Sequence, residues 1–417
     1  MKTVPIRHVA EVWTSSVDKH TVDGETPVQL CNYTDAYKKD RVHPGADLMR
    51  ATATADEIRK NRLEVGDSVF TKDSEDPNDI GVSAFIDGTG DDFVCGYHLA
   101  IARPFPSTHG RFLNWALRSR PVLEHLGNHA AGISRYGIGL ADLKSAPIPL
   151  VEADEQRRIA DFLDDRVSRI DRIIAARREQ MALAATQHIS ALQELFDDLA
   201  GQFGVLRLGH VLRGLEQGWS PQADSQSADP DEWGVMRAGC VNGGYFRPED
   251  NKRLPDNLEP VVAYEIRKGD LLMSRASGSL DLIGSVAVVP ADVRRRLLLC
   301  DKIYRLFPDS GWTSEFLAPM MRTHSNRELI RLGVSGAEGM ANNLPSGVIR
   351  DLKIPAATPE VQQQVALEAM SLASQAEGFN TALARSIELL TEYKSSLITA
   401  AVTGELDVST AGSSIPG

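Results

Sequence analysis

Lys72 and Arg275 hold the same place in two passages that read alike, VGDSVFTKDSEDPNDIGVSA (residues 65–84) and KGDLLMSRASGSLDLIGSVA (residues 268–287). Each cation follows a Gly-Asp pair and a short apolar run. Thr71-Lys72 therefore matches Ser274-Arg275, and Ser274 is a candidate contact beside the two cations. A cation just past a strand can neutralise a phosphate, and Arg can also grip a guanine edge with two parallel hydrogen bonds. A solvated surface cation is the bland alternative for both. Arg135-Tyr136 (in GISRYGIG) and Asn342-Asn343 (in GMANNLPS) lie in loops ahead of a shared Asp-Leu-Lys strand. Arg reads guanine and Asn reads adenine, although an Asn also simply closes turns. Arg237, in VMRAGC, joins these candidates on its strand pattern. Arg294-Arg295-Arg296 reads as a solvated basic cluster with non-specific phosphate contact behind it.

Other residue types that do chemistry are sparse. His125 and His129 are spaced i, i+4, but HLGNH lacks an intervening Glu and a third ligand, so a zinc site is not expected. Gly137-x-Gly139 does not complete a G-x-G-x-x-G fingerprint, and no G-x-x-x-x-G-K-[ST] loop or methylase tetrad is present. Asp67 and Asp270 sit one in each passage, which suits turns at strand starts better than paired carboxylates. Cys31, Cys95, Cys240 and Cys300 form no C-x-x-C pair, so disulfide frameworks and thiolate zinc sites are not expected. The pattern suggests recognition, not catalysis, and no resident metal or cofactor.

Of 417 residues, 42% are hydrophobic and 24% charged, an ordinary globular composition that excludes collagen-like and disordered classes. No apolar run approaches the roughly 20 residues of a membrane span. The opening MKTVPIRHVAEVW lacks a signal-peptide core, so a cytoplasmic location is expected. The net charge of −12 argues against a uniformly basic nucleic-acid binder, but it is unevenly spread. Residues 1–150 carry 17 basic and 20 acidic residues, and residues 203–354 carry 19 of each. Residues 151–202 carry 7 and 11, and residues 355–417 carry 2 and 7. The excess acid thus concentrates in two short segments, and the larger ones are free to form local basic faces.

The elements that must position these residues come in two copies. The match between the passages extends onward: Ile80-Gly81 with Ile283-Gly284, Cys95 with Cys300, Phe112-Leu113 with Phe316-Leu317, Arg118 with Arg322, and Asp142-Leu143-Lys144 with Asp351-Leu352-Lys353. Each copy begins as a compact α+β domain of mostly antiparallel strands. Predicted strands include Asp67–Phe70, Ile80–Ile86, Leu271–Ser274 and Ser285–Val289, and predicted helices cover Arg111–Leu126 and Ser314–Leu332. Ser220–Pro230 reads as an exposed loop. Each copy then closes on a long helix of about 40 residues, roughly 60 Å. The first carries an apolar seam through Leu163, Val167, Ile170 and Ile174, and the second one through Leu372, Phe379, Leu383 and Leu390. Arg177 and His188 interrupt the first seam, where polar groups can fix register. No single helix of this length buries its stripe alone. The expected fold is α+β: two similar domains separated by a long antiparallel two-helix coiled coil with pseudo-two-fold symmetry. The segments are 1–150, 151–202, 203–354, 355–407 and a flexible tail at 408–417.

The motif order resembles the specificity subunit of type I restriction-modification enzymes. The resemblance runs through VQLCNYTDAYKKD (Val28–Asp40), VGDSVF, LKSAPIPLVEADEQRRIADFLDDRVSRID (Leu143–Asp171), VMRAGCVNGGYF, KGDLLMSRASGS, SGAEGMANNLPSGVIRDLKIP (Ser335–Pro355) and LITAAVTGEL (Leu397–Leu406). It implies that each domain is a target-recognition domain reading one half of a split sequence in double-stranded DNA. The long helices would be the spacer, on which methyltransferase subunits, a pair of them, dock. The resemblance further implies a non-catalytic chain, with S-adenosylmethionine, ATP and Mg²⁺ handled by methyltransferase and restriction subunits. The second helix departs from the pattern, opening TPEVQQQV where the first has EADEQRRI, so that Val361 stands where an acid precedes the Gln. The alternatives are a stand-alone nuclease and a coiled-coil adaptor that does not touch DNA.

Overall fold

The computed structural model describes residues 2–223, 226–335 and 342–410. The chain separates into two compact units. Unit 1 is formed by Met1–Arg178 with Ala384–Gly417, and unit 2 by Glu179–Leu383. Both boundaries fall inside long helices, so each unit contains half of each helix as well as its own α+β domain. Among the described residues no helix is long and apolar enough to cross a membrane.

The two units share a plan. In unit 1 a five-stranded sheet runs in the order 10–14, 99–104, 68–71, 83–86 and 41–42, antiparallel but for the last strand. In unit 2 a four-stranded antiparallel sheet runs 212–217, 303–308, 271–274 and 286–288. Each unit adds a three-stranded sheet with one parallel pair: 26–31 beside 93–95, and 234–236 beside 297–298. Each also has two short antiparallel pairs. One joins the start of the domain to its end, 3–5 with 147–149 and 205–207 with 353–355. The other joins 73–74 to 136–137 and 276–277 to 342–343.

The repeated Gly-Asp pairs are turns. Gly66 and Gly269 adopt φ of 101° and 81°, open to glycine and costly for other residues. Their N–H groups donate to the carbonyls of Ile86 and Val289. Asp67 and Asp270 each accept from the backbone N–H three residues earlier, at 2.9 Å. The repeated Ile-Gly has a packing cause. A Cβ on Gly81 would stand 2.6 Å from Leu126 Cδ1, and one on Gly284 2.9 Å from Ile330 Cδ1.

Several expectations are corrected. Cys95 is not the counterpart of Cys300. Leu99 N–H donates to Gly96 O and Ile303 N–H to Cys300 O, which aligns Cys300 with Gly96. The cysteines are free and buried. Each predicted domain helix is two helices, Gly110–Leu117 then Arg120–Asn128, and Ser314–Met321 then His324–Gly333. Ser119 and Thr323 sit at the breaks in extended conformation, and their hydroxyls donate back to Ala116 O and Met320 O. Asp142-Leu143 and Asp351 belong to short helices, with the strand beginning only at Pro147 or Lys353. Of the loop 220–230, residues 224–225 lie outside the described residues. Its remainder is the mostly exposed loop expected, held by Gln226 O accepting from Arg253 N–H and Ala228 N–H donating to Asn251 Oδ1. The tail is ordered at its start, since Val408 joins the core of unit 1, and residues 411–417 lie outside the described residues.

The long helices exceed the expected length: Ala153–Phe203 has 51 residues and Pro359–Thr403 has 45. Asp154 and Glu155 open the first, and Pro359 takes the first position of the second. Gly204 and Gly404, at φ of 77° and 76°, stop them. In unit 1 the two halves run antiparallel. Lys394 pairs with Asp171 at 2.7 Å, and the charge of Arg158 acts on Asp407, so advancing along one helix retreats along the other. Leu163, Val167, Ile170, Ile174, Leu390 and Leu397 enter the core of unit 1, with Phe112, Trp115 and Leu117. Leu383 is buried and Leu372 half-buried. Phe379 is 47% exposed and not part of a seam. Asn380 takes the inward position instead, because a 3.6-residue turn drifts against a strict 3.5-residue repeat. Arg177 and His188 are half-buried. Burial, and then the charge of Arg322, push the His188 imidazole below its ordinary value.

A buried glutamine ties each domain to its helix. Gln156 Oε1 accepts from His109 N–H at 2.7 Å, and its amide donates to Val151 O at 2.8 Å. Gln362 Oε1 accepts from Thr313 N–H at 3.2 Å, and its amide donates to Gly311 O and Ala357 O at 2.9 and 3.0 Å. His109 and Thr313 are the N-caps of equivalent domain helices, Gly110–Leu117 and Ser314–Met321. Gln362→Met keeps the volume and strands one donor and two carbonyls. The expected loss is about 2 kcal/mol. Thermal melting should show Tm lower by about 5 °C; an unchanged Tm would assign the anchorage elsewhere.

Candidate nucleic-acid interface

In unit 1 the strand Ser68–Thr71 ends at Lys72, whose N–H donates to His98 O and whose carbonyl accepts from Ile138 N–H. The chain next pairs through Asp73 and Ser74 with Gly137 and Tyr136. This brings the neighbours Lys72 and Asp73 together with His98 and Arg135, which are distant in sequence. Asp73, 13% exposed, contacts Lys72 Nζ at 3.4 Å and His98 Nδ1 at 2.8 Å, and accepts from Arg135 Nε at 3.0 Å. Burial works against the charge on Asp73, but hydrogen bonds from Arg135 and His98 outweigh it and hold the carboxyl below its ordinary value. Lys72 Nζ lies 4.5 Å from the centre of the Tyr97 ring. His98 meets Tyr97 and Tyr33 edge-on at 4.7 and 5.9 Å. Tyr33 and Tyr97 remain 45% and 49% exposed. One carboxylate thus organises two permanent cations, an imidazole and open aromatic rings.

Unit 2 builds the corresponding corner differently. Arg275 N–H donates to Lys302 O, as Lys72 does to His98, and its carbonyl accepts from Leu344 N–H. Its guanidinium donates to Asp301 O at 3.2 Å and lies 5.9 Å from the centre of the Tyr304 ring. Ala276 and Ser277 pair with Asn343 and Asn342. Tyr136 and Asn342 therefore occupy equivalent places. Both are half-buried, and the backbone of Asn343 is further held by Ser335. The neighbouring residues 336–341 lie outside the described residues.

The structure thus gathers Lys72, Arg135 and Tyr136 in one unit and Arg275, Asn342 and Asn343 in the other. Two further candidates fare differently. Ser274 is 1% exposed within its strand, so its side chain has no access to a ligand, a direct result of the alternation that turns Arg275 outward. Arg237 precedes the 3-10 helix Ala238–Gly244, its N–H donating to Asp250 O and its guanidinium 3.9 Å from the Asp250 carboxylate. The arginine run 294–296 is structural: Arg294 donates to Pro230 O and Glu232 O, Arg295 forms two hydrogen bonds with the buried Glu265, and Arg296 donates to Asp231 O. His125 and His129 serve local hydrogen bonds to Asp142 O and His125 O. Sequence reasoning missed Asp73, Tyr97 and His98. The Cys95–Cys300 match hid this corner by one residue: only the register that sets Gly96 against Cys300 aligns Tyr97-His98 with Asp301-Lys302.

Because Asp73 is held below the ordinary carboxylate range, its contribution to stability is complete above that range and is lost as pH falls through its lowered value. In acid titrations followed by thermal melting, Asp73→Asn should start less stable near neutrality and lose less on acidification than the parent chain. Parallel curves would mean that the cluster adds nothing.

No family model matches the chain. It is 34% identical over 100 residues to the EcoEI type I restriction enzyme specificity subunit of Escherichia coli, a stretch covering 24% of this chain and 16% of that one. It is 24% identical over 230 residues to the EcoKI specificity subunit of Escherichia coli strain K12, covering 51% and 48%. The aligned stretches thus span less than half the length of these curated relatives. Among solved structures, a chain of a type I restriction-modification system superposes with a TM-score of 0.67 at 16% identity, covering 97% of this chain and 98% of that one. The HsdS subunit of Thermoanaerobacter tengcongensis gives a TM-score of 0.47 at 16% identity, with 97% of each chain covered. The sequence relatives are type I specificity subunits, and the resemblance drawn from the motifs holds.

Proposed function

We propose that this relative of the type I specificity subunits is the sequence-reading component of a type I restriction-modification complex. Each unit reads one half of a bipartite target in double-stranded DNA. The long helices set the gap between halves and carry the docking surface for two methyltransferase subunits, which restriction subunits join. The chain is non-catalytic, and S-adenosylmethionine, ATP and Mg²⁺ are bound by its partners. The complex works in the cytoplasm.

The carrying observation is the equivalence of two corners. Lys72 on Tyr97 and Arg275 on Tyr304 follow the same strand in two units of one plan. Each corner is completed by a strand pair that brings different side chains, Tyr136 in one and Asn342 in the other. A repeated scaffold with unlike tips is what two different half-sites require. Phosphate contacts position a protein on DNA and base contacts give specificity. In unit 1 Arg135 and the exposed tyrosines offer both kinds, and in unit 2 Arg275 and Asn342 do.

Lys72→Ala and Arg275→Ala should each weaken binding to duplex target DNA by about five- to tenfold. Each should also reduce the slope of log affinity against log salt concentration by about one. Fluorescence anisotropy across a salt series reads both, and salt-independent binding would favour an adaptor that does not touch DNA. Inserting about four residues, one helical turn, at matched positions of both long helices should lengthen the gap and leave the half-sites unchanged. Methylome sequencing of cells carrying each form reads the outcome, and altered half-sites would count against helices that act as a ruler.

A further inference from the structure

The helix–domain junction is lined by charges paired within the unit in unit 1 and by mainly apolar residues in unit 2. Counting from Gln156 and Gln362, Asp161 and Asp164 correspond to Leu367 and Met370. Counting from the N-caps His109 and Thr313, Arg111, Asn114, Trp115 and Arg118 correspond to Glu315, Ala318, Pro319 and Arg322.

In unit 1 the junction is filled from within. Asp164 accepts from Arg111 Nε at 2.6 Å, Arg41 at 2.6 Å and Trp115 Nε1 at 2.9 Å. Asp40 pairs with Arg111 and Arg118. A cleft of about 700 Å³ lies alongside, and its charges include Lys39, Asp40, Arg118, Asp171 and Lys394, which pair among themselves or with neighbours.

In unit 2 those groups are replaced and a cleft of about 640 Å³ remains, mainly apolar. Ala318 and Pro319 form one wall, and Ala366, Ala369, Met370 and Ala373 the other. Tyr245 bridges them, donating to Ala373 O at 3.3 Å. Leu367 and Met370, 63% and 61% exposed, extend the apolar surface past the mouth. Inside, Arg322 lies flush on Gly244, where a Cβ would stand 2.2 Å from the guanidinium carbon. Arg322 donates to Gly243 O at 3.3 Å. Among the described residues it forms no ion pair, whereas its counterpart Arg118 pairs with Asp40. Burial disfavours the charge on Arg322 by more than the neighbouring Tyr245 offsets. Lys268, Glu315 and Glu377 also line the cleft.

We propose that this cleft in unit 2 is a docking pocket for a protein partner that inserts an apolar side chain with an adjacent carboxylate. The apolar group fills the space that Trp115 and Arg111 fill in unit 1. The carboxylate supplies Arg322 with the partner that Asp40 supplies to Arg118. The pocket deepens the reading given above, and rests on it for the identity of the partner, a methyltransferase subunit. It makes docking unequal: one unit receives a side chain in an apolar cleft, and the other presents a cleft whose charges are already paired within the unit.

The probe is the purified methyltransferase subunit encoded with this chain, titrated against full-length chain by calorimetry. Met370→Asp puts a charge on the apolar mouth at an exposed position, where folding is not at risk. It should weaken one class of binding site by at least about tenfold. Val262→Asp, at an exposed apolar residue of unit 2 outside both the cleft and the long helices, should leave binding unchanged. Arg322→Gln should weaken the same class of sites, with less dependence on salt than the parent shows. Binding by the parent chain that Met370→Asp leaves intact would overturn the pocket alone. Absence of binding by the parent would overturn the partner reading as well. Self-association of the parent that Met370→Asp abolishes, seen by light scattering without the probe, would assign the pocket to a second copy and overturn the occupant named here.

Discussion

One buried side-chain amide carries the connection between each domain and its rod. A glutamine near the start of a long helix reaches back to the N-cap N–H of a short domain helix and to a carbonyl just before its own helix, Gln362 also taking the carbonyl of Gly311 ahead of the domain helix. Helix N-termini leave backbone donors unsatisfied, and a buried donor must find an acceptor. The glutamine meets that need for two elements at once, so the helix cannot rotate without stranding polar groups. The apolar seam below then inherits its starting phase from this contact. The acid that precedes Gln156 and the Val361 that precedes Gln362 do not matter to it, since the amide alone makes the bonds.

Around that shared anchor the two units close their junctions by opposite means. Unit 1 uses carboxylates and guanidiniums clasped to an indole, a network in which every buried charge has a partner. Unit 2 uses mainly small and apolar residues, leaving a cleft and a guanidinium, that of Arg322, which forms no ion pair among the described residues. A buried charge pair favours one geometry strongly, because displacing either member strands the other. Apolar walls impose no such penalty and accept a foreign side chain. Duplication supplied the frame, and divergence of a few side chains made one copy self-sufficient and left the other receptive.

The same logic holds at the corners proposed to meet DNA. The strand pairs that place Lys72 and Arg275 are backbone constructions and tolerate side-chain change. The residues brought alongside are unlike: Asp73, His98 and Arg135 in one unit, Asp301 and Asn342 in the other. Positive charge seated on tyrosine rings is common to both. A chain with net charge −12 needs such local arrangements if it is to approach a phosphate backbone at all.

From the sequence alone the duplication, the Gly-Asp turns, the long helices and the resemblance they carry were legible, because each rests on short-range pattern. Positive-φ glycines, Asp turns and apolar repeats are local facts about a chain. The seam was legible in phase but not to its end: Phe379 and Asn380 exchange roles through a drift that accumulates over turns and is invisible in any one of them. Other features were decided by tertiary structure. Asp73 draws in Arg135, distant by 62 residues, and Asp164 draws in Arg41, distant by 123. Arg294–Arg296, basic and clustered on paper, are consumed by nearby carbonyls and Glu265, and Ser274 turns inward beside an outward Arg275. Which charges are spent within the fold and which are left for a ligand depends on what lies across space, and spacing along the chain does not encode that.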